Sequence, residues 1–495
     1  MSVHLIILFT ILRIVKSANI LAVSHTPFYS HQLFSHAIFK ELAARGHNLT
    51  IFTTHPSDYS QFPNVIQHHF NESVKIKQKY MNIIEYKQKS MNAYKTMMHD
   101  RNWLGEALEA EVKHPEMQKL IKNKENYKFD VIILEFLIQY FAILAEIFNC
   151  PIIVASAIEP TAYIHGTMGN DVNYAHYPNI FLPYLHRHLT FSQRINSLSY
   201  LIYNLFLFKF YLMPKYRKIH EKYFSNIDKD FEEAFDERAV LMLVNTNVAF
   251  GHIRPLMPNT IQVGFLHVEP PKQIQNEKLL TFLDNSKNGV IVMNFGSLSD
   301  TKKIRNSTIE KFLKVFNQTK FDVIIKLHKI DQKIPKNVFI SDWLPLADVL
   351  AHPKVKVFIF HGGLFSAYEA IDREIPMIIF PFAYDQGSNA RMLVHNEVAI
   401  ELDFNTFTEI ELLQAIDEMN LEKYKENVKK FKQQVYDQPI SNRNLTIWHI
   451  ENVINNKNIL KVITASRTDI FKSHDFDIIF PTVVLVYIVK KFLKK

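Results

Sequence analysis

The feature that most constrains this chain is the apolar run VKVFIF at Val355–Phe360, followed without a break by His361-Gly362-Gly363 and a helical pattern that opens near Ser366. A continuous apolar run of this kind suits a strand buried on both faces, the condition of a parallel sheet covered by helices. Glycines at the strand end allow a tight turn into the helix. The first turn of a helix carries backbone N–H groups without partners, and its dipole favours negative charge there. The turn is therefore an anion site that a diphosphate would fit.

The same grammar recurs upstream. NILAVSHTPFYSHQLFSHAIFKELAARGHNLTIFTT reads as a strand at Ile20–Val23, a loop at Pro27, a helix running to Arg45 with Gly46 as its cap, and a strand at Leu49–Thr53. FDVIILEF from Phe129, a helix ending near Phe148, and PIIVAS continue the pattern, so the N-terminal half is a doubly wound parallel sheet. GVIVMNFGSLS predicts that a second sheet opens with a strand at Val290–Asn294, turning at Gly296. A chain of 495 residues is too long for one ordinary core. Two α/β domains are expected.

Composition narrows the function. The net charge of +8 is spread over lysines, and neither zinc-ligand spacing nor a nucleic-acid motif is present, so no metal and no nucleic-acid partner are expected. The basic surface faces solvent or anionic lipid. Cys150 is the one cysteine, which excludes an intramolecular disulfide. Between Gln193 and Met213 the chain is aromatic and apolar enough to lie on a membrane or line a greasy pocket, although a buried core helix is the preferred reading.

The segment WLPLADVLAHPKVKVFIFHGGLFSAYEAIDREIPMIIFPFAYDQ, Trp343–Gln386, resembles the nucleotide-sugar signature of the family 1 UDP-glycosyltransferases. The resemblance implies a GT-B fold of two Rossmann-like domains. Their spans would be residues 19–260 for the acceptor domain, 261–288 for an extended proline-bearing linker, 289–440 for the UDP-sugar domain, and 441–470 for a helix crossing back. It places Trp343 under the uracil, and His361, Gly362, Gly363 and Ser366 on the diphosphate. Glu369 would hold the ribose hydroxyls, and Asp385 and Gln386 the sugar hydroxyls. Gly296 and Ser297 lie beside the uridine, and Arg254 reaches the diphosphate from the linker. With His361, backbone amides and a helix N-terminus supplying positive potential, the donor needs no metal and no cofactor. Departures fall at Leu346, Phe360 and Phe365, and Phe265 stands where the family has a second glycine.

For chemistry, the resemblance assigns the general base to the histidine of Ser30-His31 and its carboxylate partner to Glu135, where the family has an aspartate. His25 is read as structural, and Asp130 as a cap or turn residue. The implied reaction is inverting transfer of a hexose, glucose foremost, from a UDP-sugar to a hydroxyl of a small lipophilic acceptor. The longer Glu135, with Leu346 and Phe365, supports an alternative, a degenerate relative that binds UDP-sugar or a hydrophobic ligand without turnover.

Residues 1–18 resemble a cleavable signal, and residues 476–495 a short anchor, Ile478–Val489, with a basic tail. These imply a single-pass endoplasmic reticulum protein with lumenal domains, compatible with self-association. Five Asn-x-Ser/Thr sites, at Asn48, Asn71, Asn306, Asn317 and Asn444, are then glycosylation acceptors.

Overall fold

The computed structural model describes residues 17–135, 139–185, 189–250 and 253–456. Two parallel sheets organise them. The first has the order β3-β2-β1-β4-β5-β6-β7, with β1 Asn19–Ser24, β2 Asn48–Thr53, β3 Val65–His69, β4 Val131–Glu135, β5 Ile152–Ser156, β6 Ala239–Val244 and β7 Thr260–Gln262. The second has the order β10-β9-β8-β11-β12-β13, from β8 Val290–Asn294, β9 Asp322–Lys326, β10 Val338–Ser341, β11 Val355–Phe360, β12 Met377–Ile379 and β13 Ala399–Glu401. The central strands β1, β4, β5 and β8 are almost wholly buried, as expected of strands covered on both faces. The two-domain α/β expectation holds.

The order of each sheet reverses beside its first strand, between β1 and β4 and between β8 and β11. Crevices open at the carboxyl ends of the strands at such switch points. Ser24 and Glu135 therefore end neighbouring strands of one sheet, and Asn294 and Phe360 end neighbouring strands of the other.

Several boundaries differ from the sequence expectation. The folded region begins before the predicted signal boundary: Ala18 is buried, and its carbonyl accepts the Asn48 N–H at 2.9 Å. The rest of the expected signal lies outside the described residues, as does the expected anchor at 476–495. The first sheet continues to Gln262 through β7. The linker is not wholly extended, because Glu277–Asn285 form a helix, capped by Asn276, whose Leu279 and Leu283 are buried in the core. The crossing-back helix spans Asn442–Asn455, and Arg443 bonds Glu41 of the first domain at 2.7 Å.

The largest correction concerns the apolar helix. Phe191–Leu207 is helical, but Phe191, Ile195, Leu198, Ile202 and Phe206 are exposed, as is Phe210 in the π-helical turn that follows. Tyr200, Leu201 and Leu207 bury the opposite face. The helix is apolar on both sides and covered on one.

A second departure shapes the cleft. Helices at Ile83–Gln88 and Ala93–Val112 reach from the first domain onto the second: Ile83, Ile84, Tyr86 and Trp103 share a core with Phe295, Phe380 and Phe404, while Leu108 and Val112 stay in the core of the first. The domains are thus joined beside the cleft by apolar burial as well as by the linker.

Candidate active site

A cavity of about 550 Å³ separates the two sheet ends. On the first wall, the helix Tyr29–Ala44 begins after the loop that leaves β1, so His31 sits in its first turn, 6% exposed. Its Nδ1 lies 2.7 Å from Oε1 of Glu135, the last residue of β4. Glu135 Oε2 accepts the Thr26 N–H at 2.8 Å, which ties the carboxylate to the loop carrying the histidine. Burial alone would raise the Glu135 pKa, but the hydrogen bond and charge of His31, with His25 and the Thr26 amide, hold it below the ordinary carboxylate value. An ionised carboxylate accepts only, so the His31 proton sits on Nδ1 and Nε2 carries the lone pair of a base. The extra methylene of Glu135 does not spoil the contact, so this residue gives the degenerate reading no support.

His25 is buried with its ring 3.7 Å from Glu111, away from the cleft lining, and Asp130 accepts the Asn19 N–H at 3.0 Å.

On the second wall, β11 feeds His361-Gly362-Gly363 into the helix Leu364–Asp372. Gly363 occupies the cap position, and no side chain satisfies the first-turn amides. They stay available to an anion. Gly362 turns the chain at φ +84°, where a Cβ would come within 2.9 Å of the Gln386 carbonyl. Gly296 and Gly363 enclose the His361 ring: a Cβ on either would approach its atoms to 2.6 Å and 2.7 Å. Ser297, beside Gly296, lines the cavity with Ser366.

The charge assigned to His361 is corrected. Burial, reinforced by the positive charge of Lys326, pushes its pKa down to about 3, so the imidazole is neutral and acts as a hydrogen-bonding group. Its Nδ1 is buried without a partner among the described residues. The nearby cation is Lys326, the last residue of β9, whose Nζ donates to the Gly296 carbonyl at 2.9 Å and lies 5.4 Å from the Trp343 ring centre. The sequence reading missed it, because only the β9-β8-β11 order brings the end of β9 beside Gly296.

Trp343 is 59% exposed and lines the cleft, with Lys326 over its ring. Tyr29 of the opposite domain meets it edge-on at 6.1 Å. Glu369 lines the same region, where burial pushes its carboxyl up to about 8. It is protonated at neutral pH and both donates and accepts.

Asp385 and Gln386 open the helix that follows β12. Asp385 accepts from Asn389 at 2.8 Å, and the same amide donates to the Gly362 carbonyl at 2.9 Å, which couples the Asp385 loop to the glycine turn. Burial raises the Asp385 pKa, while His31 acts on it in the opposite sense across the cleft. Gln386 Oε1 accepts the Phe382 and Ala383 N–H groups, so its carbonyl braces the loop and its NH₂ remains the group for a ligand. Arg254, like Gly362 and Glu135, lies outside the cavity lining: it is buried with Nε 2.9 Å from Glu159, and Glu159 faces the cavity instead. Its charge is committed to that carboxylate.

The cavity has the geometry of a nucleotide-sugar transferase, and similarity to known proteins agrees. The family model described as UDP-glucoronosyl and UDP-glucosyl transferase matches residues 19–495. The ecdysteroid UDP-glucosyltransferase of Lacanobia oleracea granulosis virus is 27% identical over 461 residues, covering 90% of this chain and 95% of that protein. UDP-glycosyltransferase UGT4 of Dactylopius coccus is 28% identical, with 89% and 86% covered. Human UDP-glucuronosyltransferase 2B10 is 27% identical, with 91% and 88% covered. Among solved structures, a UDP-glucose: anthocyanidin 3-O-glucosyltransferase in complex with UDP aligns with TM-score 0.58 at 17% identity, covering 89% of this chain and 99% of that one. The match to the family runs through both sheets and both walls of the cleft, and the chain belongs to the UDP-glycosyltransferases, as an enzyme that transfers sugar from a UDP-sugar to an acceptor.

Proposed function

We propose that this enzyme moves a neutral hexose, glucose foremost, from UDP to a hydroxyl of a small lipophilic acceptor, with inversion at the anomeric carbon. The observation that carries the reading is the 2.7 Å contact between His31 and an ionised, buried Glu135. Nε2 of His31 takes the acceptor proton as the oxygen attacks the anomeric carbon in line, and Glu135 stabilises the imidazolium that forms. Lys326 and the amides of the Leu364–Asp372 helix stabilise the departing UDP, with His361 as a neutral hydrogen-bonding partner. These groups belong to the chain, and on this reading no metal or cofactor is required.

Two features of the lining support the substrate classes. Phe28, Met97, Trp103, Leu104 and Phe181 give the acceptor side an apolar surface. At the sugar end the lining carboxylate is Asp385, while Lys326 is held on the Gly296 carbonyl and Arg373 on Asp372 and the Glu269 carbonyl; Lys40 and Lys272 also line the cavity. A carboxylate on the sugar would meet like charge at Asp385. The test is UDP release and product analysis across a panel of UDP-sugars with phenols and other lipophilic alcohols. Turnover with UDP-glucose, giving the inverted glycoside, supports the reading; a preference for UDP-glucuronate overturns the choice of sugar.

The same proposal places the enzyme at the endoplasmic reticulum membrane, with both domains lumenal. All five asparagines of the Asn-x-Ser/Thr sites are exposed, as glycosylation requires, and the exposed apolar face from Phe191 to Phe210 suits a lipid surface. Among the described residues no helix is long and apolar enough to cross a membrane. A glycosidase-sensitive size shift together with resistance to a carbonate wash is the expected result; release by carbonate would refute the spanning anchor.

A further inference from the structure

We propose that Tyr384 and Asp100 form a polar latch between the two domains that fixes Asp385, at the sugar end of the cleft, against His31. The inference rests on the transferase reading for the role of Asp385, but the latch is a contact with its own readout.

Tyr384 lies in the loop between β12 and the helix Gln386–His395, with φ at +57°. A side chain is disfavoured in the left-handed region, where glycine is the residue at ease. The tyrosine placed there reaches across the cleft: its hydroxyl donates to Oδ2 of Asp100 at 2.7 Å. Asp100 stands on the helix Ala93–Val112 and is 5% exposed. Its other oxygen accepts the Tyr86 hydroxyl at 3.0 Å and the Trp103 indole N–H at 3.4 Å. The buried carboxylate is thus held by two donors from its own domain and one from the other. Burial, with the charge of Asp100, raises the pKa of both phenols, so each keeps the proton it donates.

Ring contacts complete the seat. Tyr384 meets Tyr86 at 6.4 Å and Phe181 at 5.8 Å, both edge-on and both from the first domain. The next residue, Asp385, is the carboxylate on which His31 acts across the cleft. The latch therefore fixes, through one peptide unit, the position of a sugar-binding carboxylate relative to the base. Both groups must hold one geometry for in-line attack, and a shift of about 1 Å is enough to cost orders of magnitude in rate. Tyr384 and Asp100 are positioning residues on this account.

The test uses the full chain with Tyr384→Phe, Asp100→Asn and the double variant. Tyr384→Phe keeps the ring and removes the hydroxyl; Asp100→Asn guards against a folding failure of the first. Transfer kinetics and UDP binding by calorimetry are read together with hydrogen exchange of segment 381–386 in the presence of UDP. Each single variant is expected to lower kcat about tenfold, the loss of one charge-assisted hydrogen bond, while UDP affinity stays within about twofold. The double variant should be no worse than either single one. Exchange in 381–386 should speed up in all three. Unchanged kcat in Tyr384→Phe, or effects that multiply in the double variant, overturns the latch. If the unsubstituted chain binds UDP and transfers nothing, the transferase reading fails by itself. Exchange then decides the latch: acceleration in Tyr384→Phe upholds it, and unchanged exchange overturns it.

Discussion

Shortening Glu135 to aspartate would restore the residue usual in the family and damage this enzyme. The Thr26 amide grips Oε2 at 2.8 Å while Oε1 reaches His31 at 2.7 Å, so the carboxylate is anchored at its back edge. Removing one methylene withdraws the carboxylate by about 1.5 Å, one carbon–carbon bond. The distance to His31 Nδ1 then rises to about 4 Å, beyond hydrogen bonding. A hydrogen bond to a charged group contributes roughly 1.5–3 kcal/mol. If it is felt mainly when the imidazolium forms, the loss is about 10- to 150-fold in kcat. The assay is acceptor-dependent UDP release under saturating UDP-sugar, with UDP affinity measured by calorimetry on the same preparation. Glu135→Asp is expected to lose kcat and keep UDP binding. A Glu135→Asp variant with undiminished kcat would refute the claim that this carboxylate orients the base.

Four further outcomes follow from the donor wall. Gly363→Ala tests the seat of His361 without backbone strain, because its Cβ would stand 2.7 Å from the ring; UDP affinity should fall with little change in melting temperature. Gly296→Ala adds a left-handed backbone at φ +83° and should also lower stability by about 1–2 kcal/mol, read by denaturant unfolding. Lys326→Met should weaken UDP binding about tenfold and flatten its salt dependence; unchanged affinity would remove Lys326 from the diphosphate. Glu369 titrates near 8 in the folded chain but near the ordinary carboxylate value when unfolded. The folded state therefore holds the extra proton, and stability contributed by this group is lost as pH rises from about 4.5 to about 8. Glu369→Gln should raise the melting temperature at pH 8 relative to pH 5, and an equal effect at both would contradict the shift.

The sheet frame and the phosphate turn were legible because each is local. An apolar run, glycines and a helical period occupy adjacent positions from Val355 to Asp372, and in the first domain Gly46 marks the end of the first helix in the same local way. His31 was singled out only through the resemblance, which picks the histidine of Ser30-His31 from a loop that also holds His25. What escaped is non-local. Lys326 enters the site through strand order, and Asp100 meets Tyr384 across 284 positions through helices that reach from the first domain onto the second. Arg254 was misjudged because a linker arginine beside a diphosphate and one paired with Glu159 look the same in sequence. The apolar helix at Phe191–Leu207 was misjudged because periodicity shows where apolar faces lie, and only packing shows which face is covered.

The most direct test of the central claim compares the unsubstituted chain with His31→Ala, measuring acceptor-dependent UDP release and UDP binding on the same samples. The account predicts that His31→Ala binds UDP with unchanged affinity and releases none from UDP-glucose in the presence of acceptor. Turnover by His31→Ala equal to that of the unsubstituted chain would show that the proton is taken elsewhere and would contradict the account.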